Sequence, residues 1–234
     1  LRVATTSNGA DWTELSVSLP VSNISVNELV VYANQIWLFG IEGASNHIIL
    51  KSSDGATWDA VATPEWSQMY FNDLVSTPDR LVVLAPPIGS SMGTYVWSTT
   101  DGSTWTQSSE VIPSGGSTYG VEMTYANGAL WTLAKPEGET FEALYKSTDW
   151  GNSWSQVTTN LSIQQGYDTE LMALAPSPGL LYAAGDGAYI SEDGSDWSKV
   201  SNTNYVDFDI SSTGKFWVTE DRNAGTETVL HSIG

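Results

Sequence analysis

Five times along the chain a short polar turn carries a glycine followed three residues later by a tryptophan. The turns are Ser7-Asn8-Gly9-Ala10-Asp11-Trp12, Ser53-Asp54-Gly55-Ala56-Thr57-Trp58, Thr100-Asp101-Gly102-Ser103-Thr104-Trp105, Asp149-Trp150-Gly151-Asn152-Ser153-Trp154 and Asp193-Gly194-Ser195-Asp196-Trp197. The tryptophans stand at 12, 58, 105, 154 and 197, which gives spacings of 46, 47, 49 and 43 residues. Self-similarity at that period means that the chain folds as a series of like units, each too small to bury its own apolar face alone.

Between the turns the pattern is that of short strands. An acidic residue opens an apolar run, as in Glu28-Leu29-Val30-Val31-Tyr32, and a turn such as Ala33-Asn34 or Asn127-Gly128 follows. A second run comes next, as in Ile36-Trp37-Leu38-Phe39 or Leu130-Trp131-Thr132-Leu133, and a third, as in His47-Ile48-Ile49-Leu50-Lys51-Ser52, enters the Gly-x-x-Trp turn. A short run such as Trp58–Ala62 leaves it. β-Branched and aromatic residues between Asn, Gly, Pro and Ser clusters predict antiparallel strands, and no segment keeps the 3.6-residue period of a surface helix. Four strands in 40 to 50 residues predict an all-β protein of propeller blades.

The turns themselves read as structural. Asn8, Asp54, Asp101, Asp149 and Asp193 can accept backbone N–H bonds, and Gly9, Gly55, Gly102, Gly151 and Gly194 can take the positive φ that a tight turn demands. Trp12, Trp58, Trp105, Trp154 and Trp197 are expected to start the outermost strands and to pack between neighbouring sheets. Ser147-Thr148-Asp149-Trp150-Gly151-Asn152-Ser153-Trp154 resembles the Asp-box, or BNR, pattern Ser-x-Asp-x-Gly-x-Thr/Ser-Trp at every fixed position, and the other four look like shortened versions. The resemblance implies a propeller of the sialidase-like kind with the boxes far from any active site. It implies no single activity, because that architecture serves hydrolases, lectins, receptors and assembly factors alike.

The whole of residues 1–234 is expected to form one domain. Its blades are about 26–65, 69–112, 119–162, 168–202, and a fifth that combines 205–234 with 1–19 so that the ring closes without free edges. Both Thr228–Ser232 and Leu1–Thr5 look like third strands of that last blade, so six or seven blades, or a fragment of a longer propeller, are the alternatives. Leu1 in place of a Met, with no leader sequence before it, reads as a mature or excised domain.

Composition narrows the function. Eight Lys and Arg against 27 Asp and Glu give a net charge of −19, which excludes a nucleic-acid footprint and argues against anionic membrane surfaces. No apolar run reaches the roughly 18 residues of a membrane span. There is no cysteine, hence neither disulfide nor thiolate chemistry. The acidic surface suits a protein secreted or displayed on a cell or virion surface. The resemblance to sialidases implies three convergent arginines, a Tyr–Glu nucleophile pair and an Asp acid/base. The chain has only Arg2, Arg80 and Arg222, each outside any family catalytic motif. His47 and His231 sit in apolar strands and read as packing residues.

One constellation remains. Glu28, Asp73, Glu122, Glu170 and Asp207 share the position where each inner strand begins, which predicts a ring of carboxylates at one mouth of the channel. Such a ring either stays solvated or holds a hard cation, Ca²⁺ above all. The architecture of five-bladed glycoside hydrolases implies a third use, as an acid and base flanking a glycosidic bond. Trp66, Tyr70, Tyr119, Tyr167 and Tyr205 lie in the connections on the same side and are candidates for stacking on sugars. The expectation is an extracellular, non-enzymatic binding or structural module whose partner is a glycan or a protein. A glycoside hydrolase and a rigid module of a surface or phage-tail fibre are the alternatives.

Overall fold

The computed structural model describes residues 1–43, 46–63, 73–85, 95–108, 123–134, 143–160, 171–174, 180–184, 188–201, 205–210, 216–221 and 228–233. Among them all regular structure is β. The chain divides into two compact units, residues 1–89 with 96–107, and residues 90–95 with 108–234.

The first unit opens with the two-residue strands β1 (Ala4–Thr5) and β2 (Thr13–Glu14), which pair with each other. A four-stranded antiparallel meander follows: β3 (Ile24–Tyr32), β4 (Gln35–Glu42), β5 (Asn46–Ser52) and β6 (Asp59–Ala60). A second repeats the order with β7 (Asp73–Ser76), β8 (Leu81–Ala85), β9 (Tyr95–Thr99) and β10 (Thr106–Gln107). The second unit continues in the same way. It holds β11 (Met123–Ala126), β12 (Ala129–Ala134), β13 (Ala143–Ser147) and β14 (Ser155–Val157), then β15 (Leu171–Leu174), β16 (Leu180–Ala184), β17 (Ala188–Ser191) and β18 (Ser198–Ser201). Last come β19 (Tyr205–Ile210), β20 (Phe216–Asp221) and β21 (Thr228–Ile233), which form a three-stranded sheet.

The chemistry of the links explains the meander. Ala33 and Asn34 both take positive φ (50° and 59°), as do Asn127 and Gly128 (50° and 75°). Two successive positive values suit a two-residue hairpin whose twist matches its strands. In the three sheets whose burial is described throughout, the second strand is the most buried: β8 and β12 are buried at every residue and β4 over Trp37–Gly40. Covered on both faces, such strands read as unbroken apolar runs, not as alternating ones. In the first unit Trp37, Phe39 and Ile49 of one sheet pack against Leu74, Leu81 and Val83 of the next. In the second, Trp131, Leu133 and Leu144 meet Leu181, Ala183 and Trp197.

All five Gly-x-x-Trp turns close by the same hydrogen bonds. The hydroxyl of Ser52 accepts from the Gly55 amide at 2.8 Å, and Oδ1 of Asp54 accepts from Ala56 and Thr57 at 2.8 Å each. Thr99 with Asp101, Ser191 with Asp193, and Thr6 with Asn8 repeat the set. In the longer turn Ser147 accepts from Gly151, and Asp149 from the amide and hydroxyl of Ser153. Every turn glycine has the positive φ expected of it. Register is equally uniform. The residue three before the turn's Asp or Asn pairs with the residue after its Trp: Thr5↔Thr13, Lys51↔Asp59, Ser98↔Thr106, Lys146↔Ser155 and Ile190↔Ser198.

Three sequence expectations are corrected. Each outer strand starts one residue after its tryptophan, and those rings do not all pack between sheets: Trp58 is 3% and Trp197 7% exposed, but Trp12 is 64% exposed. The reason is local. The chain after one outer strand crosses to the next turn, where Ser18 exchanges backbone bonds with Ala56 and Trp58, and Asn160 bonds to Ser195 and Trp197. Among the described residues nothing crosses the first turn in this way. Second, Glu28 does not begin its inner strand. β3 starts four residues earlier at Ile24, and a bulge between Val26 and Glu28 resets its register. Third, the two terminal segments do not compete for one third-strand place. β21 pairs with β20, and β1 pairs with β2, each in its own sheet.

Candidate functional site

The residues singled out for binding fall unevenly on the structure. Trp66, Tyr70, Tyr119 and Tyr167, with Glu122 and Glu170, lie outside the described residues, as does Arg222. Tyr205 opens β19, and Asp207 of the same strand pairs with Thr219. Glu28 and Asp73 are both half-buried on neighbouring inner strands of the first unit. Asp73 accepts a bond from the Leu74 amide at 2.7 Å. The two carboxylates also hold the same register, each four residues before the residue that enters the hairpin turn, Tyr32 and Thr77. Among the described residues no group of three His, Cys, Asp or Glu side chains could hold a metal ion.

Two arginines can be placed, and each is tied down where it stands. Arg2 makes a two-pronged contact with Glu14 at 2.8 and 3.0 Å on the exposed hairpin of β1 and β2. Arg80 sits in the β7–β8 turn, where its guanidinium reaches the Ser98 hydroxyl at 3.4 Å and Asp79 at 3.9 Å. His47 is buried against Phe39, ring centroids 5.9 Å apart and planes within 10°, and burial lowers its pKa. It is the packing residue that its apolar context suggests.

Other surfaces were less legible in the sequence. In the second unit Tyr125 of β11 stacks on Trp150, centroids 5.8 Å apart and planes within 10°. Both rings are partly exposed, and Trp150 holds a φ of +64°, which a bulky side chain rarely adopts. Trp150 is the residue that the other four turns lack, so its presence was visible, but its partner on another strand was not. A cleft of about 430 Å³ beside the β17–β18 turn is lined by Ile190, Ser191, Glu192, Asp193, Asp196 and Ser198. Its carboxylates and hydroxyls accept hydrogen bonds more readily than they donate them. Asp193 is already engaged by Ser195 and Asp196, bonds that hold its pKa below the ordinary carboxylate value.

No protein-family model and no curated protein matches the sequence. The fold, by contrast, has many counterparts among solved structures. The sialidase of Trypanosoma rangeli, in complex with 2,3-difluorosialic acid, superposes with a TM-score of 0.58 at 12% identity over 96% of this chain. The chain spans about half the length of that enzyme, 47%. A protein of unknown function from Dyadobacter fermentans gives 0.59 at 15% identity, with 90% of this chain and 79% of the other covered. The lectin of Aleuria aurantia, a six-bladed β-propeller that recognises fucose, gives 0.54 at 13% identity, with 98% and 86% covered. At such identities the likeness is one of fold, and it agrees with the repeated meanders and their uniform turns: the chain has the all-β fold of the β-propellers, built from four-stranded antiparallel blades.

Proposed function

We propose that this protein is an extracellular binding module that recognises a glycan through its propeller scaffold and performs no chemistry on it. The observation that carries the reading is the placement of Arg2 and Arg80. A sialidase-like pocket would need guanidinium groups converging on one carboxylate, whereas Arg2 is spent on an exposed pair with Glu14 and Arg80 within its own turn. Lectins and sialidases share this fold, and a lectin needs only partly exposed aromatic rings and hydroxyl or carboxylate acceptors, because sugar rings offer C–H faces and O–H donors. Tyr125, Trp150 and the acceptors of the Glu192–Asp196 cleft are groups of that kind.

The test pairs a glycan array with hydrolysis assays on fluorogenic glycosides, sialosides included. Saturable binding to a subset of glycans with no turnover is the expected result. Binding accompanied by hydrolysis would overturn the non-catalytic part and favour the inner-strand carboxylates Glu28 and Asp73 as acid and base. No retained glycan would overturn the reading itself and leave a protein partner or a purely structural role.

A further inference from the structure

One of the five turns is longer than its own closure requires. From Thr6, Ser52, Thr99 and Ser191 the chain reaches Gly9, Gly55, Gly102 and Gly194 in three residues, and each turn closes through that hydroxyl and the Asp or Asn two residues on. In the remaining turn Ser147 reaches Gly151 in four, because Trp150 is inserted after Asp149, yet the same hydroxyl and carboxylate bonds form. No residue is needed at 150 to make the turn.

The inserted residue also sits awkwardly. Trp150 holds a φ of +64° and Gly151 one of +84°, so a bulky side chain occupies backbone that glycine takes without strain. Its ring lies along Tyr125 of β11, centroids 5.8 Å apart and planes within 10°, and both rings remain partly exposed. The contact is made inside one sheet, and it aligns the two rings as an offset pair. A strained residue that its own turn does not need points to a use outside the turn.

Charge limits what that use can be. Asp149 is the one charged residue of the turn. Tyr125 pairs with Leu130 and Leu130 with Ser147, whereas Trp131 pairs with Thr124 and Lys146, so strand alternation puts Lys146 on the opposite face of the sheet from Tyr125. There its ammonium stands 4.7 Å from the centre of the Trp131 ring. A carboxylate-bearing sugar would thus meet the charge of Asp149 in a chain of net charge −19. A neutral pyranose meets no such repulsion, and its C–H face suits a flat aromatic ring. We propose that Tyr125 and Trp150 form a stacking site for a neutral hexopyranose, carried on the lengthened turn. The site rests on the glycan-binding reading above, to which it adds the place and the charge of the sugar.

Titration calorimetry of the full chain with lactose, cellotetraose and mannotetraose, and with 3′-sialyllactose as the charged counterpart of lactose, provides the test beside thermal melts. Wild type should bind at least one of the neutral sugars saturably and bind 3′-sialyllactose more weakly than lactose. Removal of Trp150 leaves Ser147-Thr148-Asp149-Gly151-Asn152-Ser153-Trp154, the length and pattern of the turn at Ser52–Trp58. That variant should fold, melt close to wild type and lose about tenfold or more in affinity for the neutral sugar. Trp150→Gly should behave alike, and Trp150→Phe, which keeps an aromatic ring, should retain part of the affinity. The proposal is overturned, with the glycan reading left standing, if the variant without Trp150 binds as wild type does, or if 3′-sialyllactose binds as tightly as lactose. It is also overturned if removal of Trp150 lowers the melting temperature as far as Trp58→Ala does, since the ring would then be a core residue. Failure of all three neutral sugars overturns it whatever the glycan array retains, whereas an array that retains nothing overturns the glycan reading itself.

Discussion

The same residue type has different weight at different turns, and neighbours decide which. Trp58 donates its indole N–H to the Gly55 carbonyl at 2.9 Å and is buried with Leu38 and Leu50 in a cluster against which Val17, Leu19 and Val21 pack. Trp58→Ala should therefore cost about 3–5 kcal/mol, as buried aromatic truncations do. Trp12→Ala, at an exposed position, should stay within about 0.5 kcal/mol of wild type. Denaturant unfolding of the two variants checks this, and equal losses would contradict the burial difference. The turn carboxylates make a second residue-scale prediction. Backbone bonds from Thr57 and Ala56 hold Asp54 below its ordinary 3.8, and those from Thr104 and Ser103 depress Asp101 further. Burial pushes Asp149 upward but is outweighed by the bonds from Ser153. A depressed folded pKa gives stability that is present above the unfolded value and lost as pH falls through the folded one. The melting temperature should thus be level from neutral pH to about 5 and fall below about pH 4. Asn8 does the same work uncharged, accepting from Ala10 and Asp11 at 2.9 Å. Asp54→Asn should accordingly fold well at neutral pH with a smaller loss in acid, whereas Asp54→Ala should lose stability at both. Thermal melts across the pH range distinguish the two.

At the scale of elements, neighbouring sheets within each unit are joined by a few contacts that repeat with different side chains. The Tyr32 hydroxyl lies 3.0 Å from the carbonyls of both Asp79 and Thr100, which share its one proton, and the Asn127 amide group donates to the Glu192 carbonyl, which stands just before its turn's Asp as Thr100 does, at 2.8 Å. A phenol and a carboxamide thus do one job, which is why no residue identity in the sequence betrayed it. The turn glycines were half legible. Gly102 and Gly194 were expected to supply positive φ, and they do (71° and 83°), but their close approach to Trp37 and Trp131 depends on an adjoining sheet. Gly102→Ala should cost about 1–3 kcal/mol for crowding and about 1–2 for a left-handed alanine. Gly9→Ala should bear only the second, since nothing stands near it. Chemical denaturation of both variants tests the difference. Asn160, whose side chain bonds to the Trp197 amide at 2.8 Å and its carbonyl at 3.3 Å, should lose about 0.5–1.5 kcal/mol on replacement by Ala. Loss of cooperativity in that variant would show that the crossing segment holds more than its two bonds.

For the molecule as a whole, the repeat fixed much in advance. A period of 43 to 49 residues, with turn residues at constant offsets, left one arrangement for strands of these lengths, because hydrogen-bond register within a meander is local and is set by turn chemistry. Hence the four-stranded sheets, the positive φ of the turn glycines and the acceptor role of Asp54, Asp101 and Asp193 were all readable from the order of residues. What lies between sheets was not readable. Trp12 and Trp58 occupy identical places in their motifs, yet one is in solvent and the other in a core, since burial depends on whether a distant segment such as Val17–Val21 crosses above. The stack of Tyr125 on Trp150 and the confinement of Arg2 and Arg80 to their own neighbourhoods lie within single sheets, yet they too join side chains on different strands and were not readable. The sequence by itself determined the meander and its turns within each repeat, where the chain brings backbone partners together at little entropic cost; the tertiary structure alone decided which side chains are covered and which meet, because that depends on segments far apart in the chain and on which sheet lies next.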